Sequence, residues 1–67
     1  MDKHTKWVGD CLRTVPASDV NFKSALERAT VFMLRNALQV LETRPKGNGA
    51  RITAIRRELR RRESAER

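Results

Sequence analysis

This chain has no tyrosine and only one cysteine, Cys11, one histidine, His4, and one tryptophan, Trp7. A lone thiol excludes a disulfide within the chain and fits a reducing compartment. One thiol and one imidazole fall short of the four ligands that a closed zinc site requires, so no metal is expected. With one histidine and one cysteine, no pair of nucleophile and base can be assembled. The expectation is therefore a protein that is not an enzyme, with no catalytic residues and no cofactor. No stretch approaches the roughly 20 apolar residues of a membrane span, so no membrane partner is expected. The opening Met1-Asp-Lys-His-Thr-Lys6 has no apolar run of signal-peptide length, and the expected location is the cytoplasm.

Aromatics are scarce too. Trp7, Phe22 and Phe32 all fall on apolar faces, where packing in a core is the default, and none interleaves with the arginines near the C-terminus. Recognition of single strands leans on aromatic stacking platforms, so duplex DNA or structured RNA is the better expected nucleic-acid target.

Prolines number two and glycines three, and four of these five residues mark two breaks, at Pro16 and in Pro45-Lys-Gly-Asn-Gly49. Three periodic segments remain, which predict an all-α fold with one small domain over residues 1–67. The first helix, over about residues 2–15, repeats Trp7, Val8, Cys11, Leu12 and Val15 on one side, with His4 in line with Cys11. Asp2–Lys6 and Lys6–Asp10 are supporting i,i+4 pairs of opposite sign. The second, long and central, spans about 19–43, and Ser18, Asp19 and Asn21 compete to cap it. Its main apolar face runs through Phe22, Ala25, Leu26, Ala29, Phe32, Met33, Ala37 and Val40, and a flanking surface through Val31, Leu34, Leu38 and Leu41. A helix this apolar around its circumference needs covering from more than one direction. It is therefore the expected seam of a homodimer, with Val31, Phe32, Leu34, Leu38 and Leu41 at the dimer or partner interface. Asn36, on the edge of the main face, is expected at the solvent margin.

The third helix, over about 50–63, is of different character. Ile52, Ile55 and Leu59 form one narrow stripe, and Arg56, Arg57, Arg60, Arg61 and Arg67 lie over the opposite half. Glu58–Arg62 and Glu63–Arg67 are its supporting i,i+4 pairs. The net charge is +7, and it is uneven. Residues 1–44 carry seven Lys/Arg against five Asp/Glu, while residues 45–67 carry eight against three. A guanidinium face of this kind attracts polyanions or an acidic protein surface. The expected nucleic-acid-binding residues are Arg51, Arg56, Arg57, Arg60, Arg61 and Arg62, with Lys46 as a supplementary phosphate contact in the loop. The loop lacks the full Walker spacing, so nucleotide hydrolysis is not expected. The leading functional expectation is a small basic regulatory protein that binds DNA or another nucleic acid. The alternative is a protein-binding effector or inhibitor, of the kind phages and mobile elements encode, that docks on a host protein through apolar helix surfaces.

Overall fold

The computed structural model describes residues 3–65, and the regular elements in that span are all α-helices. They are α1 (Lys3–Thr14), α2 (Val20–Arg28), α3 (Val31–Thr43) and α4 (Gly49–Ala65). The all-α class follows the periodicity, but the helices number four among the described residues, because the long central helix is broken at Ala29 and Thr30. The Asp2–Lys6 and Glu63–Arg67 pairs each have one partner outside the described residues.

Each boundary has a local cause. α1 stops before Pro16, which pushes the preceding residue out of the helical region, and Val15 N–H closes the last turn on Cys11 O at 3.1 Å. Asp19 caps α2, its carboxylate accepting from Asn21 N–H at 2.8 Å. Ala29 and Thr30 both take extended backbone, with ψ of 142° and 165°. Thr30 then caps α3, its hydroxyl accepting from Met33 N–H at 3.1 Å. Such a cap contributes about 1 kcal/mol, part of what the broken ladder forfeits. After α3 the chain reverses through Gly47, whose φ of +82° lies where side chains with a Cβ are strained. Asn48 O accepts from Ile52 N–H at 2.9 Å and so opens α4.

The break also changes which residues point inward. In α2 these are Phe22 and Ala25, followed by Ala29, whereas in α3 they are Leu34, Ala37 and Leu41. At ~100° per residue, the second set lies about a third of a turn round from the first. Leu34 and Leu41, expected on a surface open to a partner, are instead core residues, 0% and 3% exposed. Val31 and Leu38 are partly buried against the same core. Phe32 and Val40, expected on the main apolar face, are turned outward at 72% and 49% exposure. His4 and Asn36 are exposed. Trp7 sits at the surface, with the Arg28 guanidinium carbon 5.9 Å from its ring centre.

The core gathers Val8, Cys11 and Leu12 from α1, the α2 and α3 residues above, and Ile52, Ile55 and Leu59 from α4. α1 packs on α2 and α3, and α3 packs on α4. The radius of gyration is 11.1 Å, close to the roughly 11 Å expected of a closed domain of this length. α4 therefore lies against the rest of the molecule and does not project from it. Burial raises the Cys11 thiol pKa, with Asp10 and Asp19 adding to the effect, so the thiol is held in its unreactive protonated form.

Candidate functional site

α4 is docked by its apolar stripe, and that sorts its arginines into two groups. Thr53, Arg56, Arg57 and Arg60 follow one another at helical spacing on the side away from the core, and all four are exposed. Together they line a shallow cleft of about 220 Å³. Arg57 and Arg60 have no hydrogen-bond or ion-pair partner among the described residues. Arg56 reaches across to Glu42 of α3. Arg61 is held by Glu58, with Nε and Nη2 at 3.2 and 2.5 Å from its two carboxylate oxygens. Both of these arginine side chains remain more than half exposed. The Arg56–Glu42 pair, open to solvent on both sides, contributes at most ~1 kcal/mol, whereas Glu58 is only 12% exposed.

Arg62 and Arg51 belong to the second group. Arg62 is only 19% exposed and donates to three carbonyls at the end of α2: Ala29 O, Leu26 O at 2.9 Å and Glu27 O at 3.2 Å. These are carbonyls that a helix terminus leaves without partners, and a cation at that end also opposes the negative pole of the helix. Its Nε donates to Glu58 at 2.8 Å, the i,i+4 pair visible in the sequence. Arg51 does the same at the other end of α4. It donates to Val15 O, just past α1, at 3.2 Å, and to the side-chain oxygen of Asn48. Two arginines expected to meet a polyanion are thus directed into the fold. Lys46 is exposed in the turn before α4 and lines neither the cleft nor the groove beside it.

One signal for Arg62 was present in the sequence. Ile52, Ile55, Leu59 and Arg62 are spaced i, i+3, i+7 and i+10, so Arg62 continues the buried stripe. Lys23 gave no such signal. It lies on α2, yet it lines the groove between α2 and α4 together with Arg57 and Arg61. Elsewhere, Asp10 pairs with Arg13 at 3.0 Å and not with Lys6, and Arg35 pairs with Glu63 at 3.2 Å, tying α3 to the far end of α4.

Glu58 lies between Arg61 and Arg62. The hydrogen bond from Arg61 does most to lower its carboxyl pKa, against burial, and Arg62 adds to the lowering. The folded state thus favours the ionised form more than the unfolded chain does. Glu58 contributes stability at all pH values above the ordinary carboxylate value near 4.5, and that contribution is lost as the pH falls through the lowered value. Urea titrations should therefore give flat stability through the neutral range and a decline below about pH 4.5. Glu58→Gln should remove part of that acid decline; an unchanged acid limb would show that Glu58 is not its source.

The chain matches no protein-family model, no curated protein and no solved structure.

Proposed function

We propose that this chain is a small basic regulatory protein that binds nucleic acid through the outward face of α4. Arg57 and Arg60 bind phosphates directly, Arg56 joins by exchanging the Glu42 carboxylate for a phosphate, and Arg61 stays on Glu58 at the edge of the face. The observation behind this reading is the division among the arginines. The fold uses Arg51 and Arg62 for itself, while Arg57 and Arg60 are exposed beside a polar cleft with no partner among the described residues. Guanidinium groups suit this role because their planar fork matches phosphate oxygens at two points. The face is short, so the reading implies few contacts. With two or three phosphates engaged, the logarithm of affinity falls against the logarithm of salt with a slope of about −2 to −3.

The test is fluorescence anisotropy of labelled duplex DNA and hairpin RNA at two salt concentrations. Binding with Kd near 10⁻⁵ M, weakening with salt at about that slope, is the expected result. An absence of binding at low salt overturns the proposal.

A second reading, that of a protein-binding effector, has its own observation. Phe32 is largely exposed and lines a groove with Gly9 and Asn36 between α1 and α3. An aromatic ring held out in this way is a typical interface anchor. A homodimer closed over Phe32 and Val40 would also carry two basic faces on one particle, and linked sites of that kind gain affinity without new contacts.

A further inference from the structure

Arg57 lines both the cleft and a second depression, a groove of about 240 Å³ between α2 and α4. The groove differs from the cleft in that its walls are mostly carbon, from Ala17, Phe22, Leu26 and Ala54. Its polar lining is three cations, Lys23, Arg57 and Arg61, and one carboxylate, Glu58, which is already taken up by Arg61 and Arg62, so the balance at the rim is positive. An occupant must therefore offer an apolar body and negative charge beside it. Pockets for drug-sized molecules run from about 300 Å³ upward, so this groove suits one flat ring or one short chain. An acidic peptide would want a row of anchor sites, and this groove offers one.

Resting on the nucleic-acid reading above, we propose that the groove receives one unpaired base of a nucleic acid whose phosphates lie on the α4 face. The preferred target is then a duplex interrupted by an unpaired nucleotide, and not a continuous one. The geometry supports this in two ways. Arg57 and Arg61 are one helical turn apart on the same side of α4, and guanidinium planes stack on splayed bases as aromatic rings do. Glu58 holds Arg61 through both Nε and Nη2, which fixes the plane of that guanidinium at the groove rim. The scarcity of aromatics, which counts against long single strands, leaves room for a single base seated on carbon and flanked by arginine.

Three labelled probes compared by anisotropy test it: a perfect duplex, the same duplex with one unpaired nucleotide, and that bulge with an abasic sugar in place of the nucleotide. The bulged duplex should bind at least about fivefold tighter than the perfect one, the lower end of what stacking one base is worth. The abasic bulge should bind like the perfect duplex. Ala54→Leu, which fills the groove floor, should abolish the preference while leaving affinity for the perfect duplex unchanged, provided its helical circular dichroism matches the parent. Lys23→Gln, on the exposed rim, should reduce the preference without touching the core. Equal affinity for perfect and bulged duplexes overturns the groove proposal and leaves the basic face standing. So does a preference kept by the abasic bulge, which would be due to a softer backbone. Failure to bind any of the three overturns the nucleic-acid reading itself.

Discussion

Arg57→Ala with Arg60→Ala should leave the fold intact and remove most of the polyanion affinity. Both side chains are exposed and neither has a partner among the described residues, and surface changes away from packing or networks usually alter stability by less than ~0.5 kcal/mol. Binding is another matter. A hydrogen bond to a charged group is worth about 1.5 kcal/mol or more, so each lost phosphate contact costs roughly tenfold in Kd. Each also removes about one counterion from those released, so the double variant should flatten the salt slope by about 2. Thermal denaturation should superimpose on the parent while the anisotropy titrations separate. If affinity and slope both hold in the double variant, the outward face of α4 is not the binding surface.

Arg62→Ala should do the reverse, with its main effect on stability. The substitution removes the donors to Leu26, Glu27 and Ala29 carbonyls and one of the two arginines on Glu58. Glu58 is 12% exposed, and withdrawing one partner from a carboxylate with so little water around it is costly. Together these losses should amount to about 2–4 kcal/mol. A domain of this length has only about 3–10 kcal/mol in total. At ~4–8 °C per kcal/mol, the expected fall in Tm is roughly 8–32 °C. Lysine should rescue poorly, because one ammonium cannot serve three carbonyls and a carboxylate from one position. A Tm within about 2 °C of the parent would show that the contacts at the α2 terminus contribute nothing net.

These two variants touch arginines five and two positions apart in one helix, and the contrast shows what was legible in the residues alone. α1 and α4 could be read because their apolar periodicity is narrow and Pro16 and the Pro45–Gly49 run mark their ends. Ile52, Ile55 and Leu59 were identifiable as the buried stripe for the same reason. The break at Ala29 and Thr30 was not legible. It contains neither proline nor glycine, and the apolar residues on both sides are dense enough to satisfy one helix as well as two. Thr30 is a good cap only where the chain has already turned, and part of what stabilises that turn is Arg62, more than thirty residues later. The error in the expected partner surface follows from it, since moving the phase of α3 took Leu34 and Leu41 into the core and turned Val40 outward, while Phe32, in the expected interface from the start, is at the surface. Of the candidate site, the charge density was plain in the composition. The spacing that continues the buried stripe to Arg62 was legible as well, but what Arg51 and Arg62 bind depended on where helix termini come to rest, and that is a property of the assembled fold.

The fastening of α4 at both ends by Arg51 and Arg62 has a bearing on the tempo of any encounter. A basic segment that is disordered until contact must surrender chain entropy on arrival, and it leaves a large heat-capacity signature as it folds. Here the helix already stands against its neighbours, with Ile52, Ile55 and Leu59 buried before a ligand arrives. The area still to be dehydrated is small, so the heat-capacity change should be small as well. The rate of capture is then set by diffusion and by the pull of the positive face on a polyanion, not by the time a helix takes to form.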